Sequence, residues 1–562
     1  MNFEQRHKDL VDQGKKLYER KSDVMRLWQE IAENFYPERA DFTATRNVGG
    51  DFAGGLDTSY PILARRDLGN AFGAMLRPPS KEWFHIRTKR QEAEDEAARK
   101  WLEMAERVQR RAMYDRESGF VRATKEGDHD FAAFGQCAIS VEVAESPISG
   151  PILLHRCWHL RDMWWCEDSH GRISTTYRKW KPEARELAAY FPGKVHDNVT
   201  KLIKDDPYAT VEVWHIVMAS TNYELPGRNG RKLPFASIYL DVENQWVLEE
   251  VSLWNGVYVI PRWQTAPGSP YAFSPATVAA LPDARLIQAM WYTLLTASEY
   301  AAEPALIGVQ DAIKGPIEAF PGGFTPVDAQ YDERLGEVLR PLDRGGKDAI
   351  PIGLEMVKEV RLMIAEAFYL NRLVMPPPRD RMTAYEAAQR IEEFVRQALP
   401  LFEPMESDYN GALCELDFGL LMRAGAFGPP SAMPESLSGQ DVEFRFESPL
   451  REATDRIKAQ VFMEAKGLLA EAAPLDPLAV QMVDIRAGLR DALHAVRTPA
   501  EWMRDEEQMA AIDAQAAQAK QAEELLAKVS QGAQVAQQIG AAGKALAPVP
   551  QLAARTAEPA VA

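Results

Sequence analysis

Residues 281–303, LPDARLIQAMWYTLLTASEYAAE, and 352–374, IGLEMVKEVRLMIAEAFYLNRLV, repeat apolar side chains at spacings of three and four, the pattern of two long amphipathic helices. In the first, Leu286, Met290, Thr293, Leu294, Ala297 and Ala301 share a face, with Pro282 near the start and Pro304 at the end. In the second, Met356, Val360, Met363, Ala367 and Leu370 form one stripe, which Val357, Ile364 and Phe368 widen. A β-like insert rich in Gly and Pro separates the two helices. After them comes MPPPRDRM at 375–382, and then a third helical pattern opened by Thr383, with Glu386 completing a capping box, that continues through Arg423. The rest of the chain is read as attached to this spine.

A chain of 562 residues is too long for one ordinary core, and roughly three or four packed units are expected. With 46% hydrophobic residues and 13 Trp there is ample material to bury. No apolar run reaches the length of a membrane span. The first residues, MNFEQRHKDLVDQGKKLYERKSD, are charged and helix-like and lack the apolar core of a secretory signal, so synthesis in a cytoplasm is expected. Four cysteines, Cys137, Cys157, Cys166 and Cys414, are too few for a disulfide framework and are read as reduced and mostly buried. The formal charge of -17 argues against tight non-specific DNA binding, which needs clustered Lys and Arg. It is compatible with a surface that DNA slides past, because every stable phosphate contact is also a brake.

Along the chain, residues 3–36 read as one amphipathic helix through Leu10, Leu17, Val24, Leu27, Trp28, Ile31 and Phe35. A Gly/Asp/Thr-rich loop follows, and then a helix over 62–76 that turns Ala64, Leu68, Ala71, Phe72 and Met75 inward. Trp83 and Phe84 read as packing anchors, and 92–135 as helical. From Cys137 the period shifts towards two, giving six antiparallel strands with a helical island, EARELAAYFPGKVHDNVTKLIKDD, so this region is α+β. A short strand is expected from Asp441, helices over 451–469 and 478–496, and a weak Ala/Gln/Glu-rich helix from Trp502 to about Val535. The Ala/Pro/Gly-rich end beyond Gly540 is expected to be mobile.

Few residue patterns point to chemistry. There is no GxxxxGK[ST], and DRGGKD at 343–348 has neither the spacing nor the hydroxyl of a phosphate-binding loop. Cys157, His159, Cys166 and His170 offer the donor types of a zinc site at a spacing that fits no common zinc module, among tryptophans where core packing suffices. Asp128-His129-Asp130 could supply a base or a metal ligand, although adjacent residues rarely converge; a helix-to-strand junction with capping aspartates is the plainer reading. In 375–382, three prolines hold Arg379 and Arg381 on an extended loop, a candidate phosphate contact in an acidic protein. Two alternatives stay open: a metal-dependent hydrolase built on the β-rich region, and a helical scaffold assembled through its C-terminal helix.

Several ordered passages carry a resemblance: WQEIAENFYPERADF (28–42), DTSYPILARRDLGNAFGAMLRPPSKEWFHI (57–86), DHDFAAFGQCAISVE (128–142), RMTAYEAAQRIEEF (381–394) and FRFESPLREATDR (444–456). In order and spacing they resemble the portal, or head-to-tail connector, proteins of short-tailed bacteriophages over most of residues 1–510. The resemblance implies a mainly helical α+β portal fold with wing, stem, clip and C-terminal helical crown, assembling as a dodecameric ring. On this chain it implies a wing at 1–280, stem helices at 281–304 and 351–374, and a clip at 305–350. A tunnel loop at 375–382, a wing helix and strand at 383–450, a crown at 451–535 and a mobile tail at 536–562 complete it.

It further implies a non-enzymatic protein without cofactor or metal, placed at one capsid vertex of the virion after assembly in the bacterial host cytoplasm. Double-stranded DNA would pass through the ring in packaging and ejection. The large subunit of the terminase, capsid protein, tail adaptor proteins and internal ejection proteins would be its partners, and no membrane is involved. Arg379 and Arg381 fall on the tunnel loop by position. Tyr331, Asp332, Glu333, Arg334 and Arg340 are the candidate partner contacts of the clip.

Overall fold

The computed structural model describes residues 3–45, 49–78, 82–89, 95–146, 150–223, 225, 232–308, 312–317, 326–328, 337–341, 346–373, 405–446, 462–470, 484–495 and 498, with scattered positions from 509 to 519. The periodic stretch 3–36, expected as one helix, folds as two, α1 (Phe3–Arg20) and α2 (Ser22–Phe35). Lys21 makes the corner. Its buried Nζ donates to the carbonyls of Leu160, Arg161 and Met163 at 2.5, 3.2 and 2.7 Å, a set that suits the three donors of an ammonium. The two halves then serve different cores. Leu10 and Val11 join Trp164, Tyr177 and Trp214, whereas Trp28, Ile31 and Phe35 enter the main core. Gly14 permits the approach of α1, since a Cβ there would lie 2.4 Å from the Trp214 ring.

Next comes α3 (Tyr60–Leu76), with Pro61 in its first turn and Ala64, Leu68 and Phe72 buried as the spacing predicts. Trp83 is buried and leads into β1 (Phe84–Thr88), whose Phe84 is also buried. The region read as helical over 92–135 divides into α4 (Glu96–Met113), capped by Asp95, and α5 (Phe120–Phe134).

The β-rich region is two sheets rather than one unit. In the first, β2 (Ala138–Ser146) and β3 (Gly150–Trp158) form a hairpin, and β9 (Tyr258–Val259) joins β2. The second is an antiparallel meander of β4 (Met163–Glu167), β5 (Ile173–Trp180), β6 (Val213–Ala219), β7 (Phe235–Asp241) and β8 (Trp246–Leu253) in that order. The helical island lies between β5 and β6 as α6 (Ala184–Tyr190) and α7 (Asp197–Asp205). Alternation misses β4 because both its faces are covered: Trp164 packs on the α1 side and Trp165 in the main core. A short pair, β10 (Gln264–Thr265) and β11 (Ala272–Phe273), then leads to the long helices.

Those helices are α8 (Pro275–Ala302) and α9 (Gly346–Ala367), followed by a turn of helix, α10 (Leu370–Leu373). The insert between them contributes β12 (Leu306–Gly308) and β13 (Leu339–Pro341). A π-helix at Glu406–Gly411 runs into α11 (Ala412–Ala424), which ends at Gly425 in the left-handed region. The strand expected from Asp441 is β14 (Val442–Phe446); it pairs antiparallel with β1, Phe84 opposite Phe446. These elements make a mixed α+β unit over residues 1–468. Residues 469–562 form a second unit, in which α12 (Ile485–Ala495) is opened by Asp484 accepting from the Ala487 N–H at 3.1 Å.

Candidate functional site

The first long helix starts at Pro275 rather than Leu281, because a buried serine sets its beginning. Ser274 Oγ accepts from the Thr277 N–H at 3.5 Å and donates to the Ala132 carbonyl at 2.7 Å, and Thr277 Oγ1 donates to the Ala133 carbonyl at 2.7 Å. The root of α8 is thereby tied to the end of α5. Pro282 consequently lies inside the helix. The carbonyl it leaves without a helical donor belongs to Val278, on the exposed side. Further along, Gln288 clamps the Gly-rich loop: its Oε1 accepts from the N–H groups of Asp57 and Thr58 at 2.8 and 3.0 Å, and its Nε2 donates to the Thr58 carbonyl at 2.9 Å. Arg285 pairs with Glu30 of α2.

α9 lies closely against α8, and Gly353 allows it, since a Cβ there would meet Leu294 at 2.6 Å. The buried stripe of α9 is Val357, Val360 and Ile364, continued just past its end by Phe368, which packs on Phe35 at 5.3 Å between ring centroids. Met356 and Met363, expected on the core stripe, are exposed, as is Leu286 on α8. The helix also stops short of the expected Val374. α9 ends at Ala367, and Tyr369 takes a φ of 57°, a left-handed conformation costly for a non-glycine residue.

Both helices therefore carry a second apolar surface. On α8 it comprises Leu286, Tyr292, Leu295 and Tyr300, and on α9 Ile352, Met356, Leu362 and Met363, with exposed Glu355, Glu359 and Glu366 set among them; Tyr292, Ile352 and Leu362 are 65%, 64% and 63% exposed. The threonines within the α8 surface are internally satisfied, Thr293 and Thr296 donating to the carbonyls of Ala289 and Tyr292 at 2.9 Å each. A hairpin that buries one stripe and exposes further apolar side chains has a face on which another helix can pack.

The insert is closed at its base by β12 and β13, with Leu306 opposite Pro341 and Ile307 opposite Arg340. Ile313 and Val327 form a bridge further in, beside a Lys314–Asp328 pair at 2.9 Å. Arg340 is exposed on this ribbon. Tyr331, Asp332, Glu333 and Arg334 lie outside the described residues, as do Arg379 and Arg381 with the whole of 375–382.

The two candidate chemical clusters are placed differently from their sequence readings. Asp128, His129 and Asp130 are not capping residues at a junction; they lie inside α5, and each engages its own arginine. Asp128 pairs with Arg77, whose Nη1 also donates to Asn410 Oδ1 at 2.6 Å and whose guanidinium lies over the Tyr409 ring of the π-helix. His129 Nδ1 accepts from Arg65 at 3.0 Å, and Asp130 pairs with Arg39 at 3.2 Å. Burial pushes both aspartates up, against the pull of Arg77 and Arg39. It pushes His129 down to about 4, with Arg65 adding to the effect. Three successive helical residues point in three directions, so the triplet binds α3, α5 and the π-helix together instead of forming one site.

Cys157, His159, Cys166 and His170 are likewise dispersed. Cys157 lies 3.8 Å from Asp130, His159 pairs with Asp41 at 2.6 Å, Cys166 faces Ser174 at 3.7 Å, and His170 sits in an exposed turn. Among the described residues, Glu82, His85 and Glu106 alone bring three donor atoms within reach of one ion. Arg110 already bridges those two glutamates, at 3.1 and 3.0 Å, and takes the place a cation would fill. Sequence reading missed Lys21, Arg77, Gln288 and Arg361, the last of which lies over both Tyr60 and Trp291 at 5.4 and 5.5 Å. Nothing local in the sequence marks their distant partners.

Residues 7–503 match the family described as bacteriophage head to tail connecting protein, so the chain belongs to that family and is a phage head-to-tail connector. It is 25% identical over 531 residues to the "Probable portal protein" of Bordetella phage BPP-1, a match covering 92% of each chain. Two solved structures, the virion of a native gene transfer agent particle and the neck of an empty particle of that kind, contain chains 12% identical to this one. Those matches cover 75% and 73% of this chain and 89% and 86% of the others, each at a TM-score of 0.33, too low to carry any argument. Among the described residues, no helix is long and apolar enough to cross a membrane.

Proposed function

We propose that this connector is a portal subunit: twelve copies form a ring at one capsid vertex, and double-stranded DNA passes through its axis in packaging and ejection. The observation that carries this reading is the second apolar surface of α8 and α9. In a ring each hairpin has a neighbour on both sides, so stripes exposed on one subunit are covered by the next. The hairpin is then the channel wall, or stem, and residues 305–350 the clip. The loop 375–382 supplies Arg379 and Arg381 as contacts for the duplex. Residues 1–280 and 383–450 make the wing, 451–535 the crown and 536–562 a tail.

The clip, with Tyr331, Asp332, Glu333, Arg334 and Arg340, docks the large subunit of the terminase in packaging and tail adaptor proteins afterwards. Capsid protein and internal ejection proteins are further partners, and assembly takes place in the bacterial host cytoplasm. The net charge of -17 supports sliding over holding. Replacing both Arg379 and Arg381 by alanine should leave assembly intact and change the amount of DNA packaged or retained at least severalfold. Wild-type packaging and retention in the double variant would remove the loop from the mechanism.

A further inference from the structure

Arg178 is a buried cation that finds no acceptor among the described residues. It lies on β5, opposite Met163 of β4 and His215 of β6, on the face of the meander that looks towards the β2–β3 hairpin. The residue is only 5% exposed, its buried Nε has no hydrogen-bond partner, and among the described residues no ion pair engages its guanidinium. Aromatic rings hold it instead. Its guanidinium carbon lies 4.0 Å from the ring centre of Trp158, 5.8 Å from Trp180 and 6.0 Å from Tyr239. Arg156, exposed, lies 4.1 Å from the same Trp158 ring, and exposed Tyr190 borders Trp180. His215 offers no counter-charge: it stacks on Tyr239 at 4.0 Å, its nitrogens are taken up by Tyr258 and Ser237, and burial keeps it neutral. Glu142 of β2 acts on Arg156 and Tyr239 at longer range without forming an ion pair with Arg178.

Ring faces satisfy a guanidinium from above and below, but its N–H groups point outward in the plane and need acceptors there. A buried cation left without one is costly. We propose that Arg178 receives the carboxylate of an Asp or Glu from a second copy of this chain, entering beside Arg156 and Tyr190. A planar carboxylate matches the two-pronged edge of a guanidinium. Duplex DNA is too broad to lower a phosphate onto a cation so nearly buried, whereas a single side chain fits. The supply is ample, since the chain carries 82 acidic against 65 basic residues. The inference rests on the ring reading and adds to it a charged contact in the wing, away from the stem.

The test compares full-length wild type, Arg178→Met, which keeps an apolar stem in the aromatic cage, and Glu142→Gln. Native mass spectrometry over a protein dilution series reads assembly, and thermal unfolding reads the subunit. The expected result is that Arg178→Met raises the concentration needed for rings at least tenfold and removes most of its salt dependence, with an unfolding midpoint unchanged or higher. Glu142→Gln should leave both unchanged. Rings that form alike in wild type and Arg178→Met overturn this inference alone, while a wild type that forms no ring overturns the ring reading as well. A lowered midpoint in both variants would make Glu142 the acceptor and also overturn it. So would a rise in the wild-type midpoint with inorganic phosphate but not acetate at constant ionic strength, which would mark a phosphate site.

Discussion

At Arg77 and Asp128 the balance between burial and pairing can be measured. Both side chains are almost wholly buried, and Asn410 and Tyr409 complete the cluster. Arg77→Met removes the cation and leaves a carboxylate in an apolar surround, which costs about 3–5 kcal/mol. Urea unfolding checks this, and a loss under about 1 kcal/mol would show the pair to be dispensable. His129 gives a pH signature. Its folded pKa is lowered to about 4 from 6.5, so between those values the unfolded chain binds a proton that the folded chain does not. Stability therefore falls as pH drops from about 6.5 towards 4 and rises again on return. The difference in unfolding midpoint between wild type and His129→Gln isolates this contribution from the neighbouring aspartates. A difference that is flat across pH 4 to 6.5 would contradict it.

At the scale of elements, the α8–α9 hairpin separates burial from assembly. Met356 and Met363 are exposed and lie apart from the buried stripe of Val357, Val360, Ile364 and Phe368. Met356→Glu with Met363→Glu should leave the unfolding free energy within about 0.5 kcal/mol of wild type and abolish higher assembly by setting like charges between neighbours. Intact assemblies would show that this surface faces solvent. The pair also shows what was legible. Period 3.6 marked both helices, yet the apolar arc on α9 was wide enough for two partners, and periodicity cannot say which half a single chain buries. The start at Pro275 was hidden because Ser274 answers to Ala132, a residue far back in the chain. Pairing of β1 with β14, and the corner at Lys21, depend on contacts of the same long range. The alternation that revealed the strands gave no hint that they divide between two sheets.

For the whole molecule, family membership rests on a match over residues 7–503, and two of the passages behind the resemblance, 28–42 and 128–142, lie in elements that form the main core. WQEIAENFYPERADF supplies Trp28, Ile31, Phe35 and Phe42, and DHDFAAFGQCAISVE supplies Phe131, Phe134 and Ile139. Those passages were readable because core packing and polar clusters tie them to fixed neighbours. The candidate contacts Tyr331 to Arg334, Arg379 and Arg381 were chosen by position and composition, and they lie outside the described residues. The central claim is a closed ring of twelve subunits around an open axis. Native mass spectrometry of the purified full-length chain, paired with negative-stain images of the same sample, tests it most directly. The account predicts a dominant mass of twelve chains and end-on views with a central hole, and a chain that stays monomeric across protein concentration and salt would contradict it.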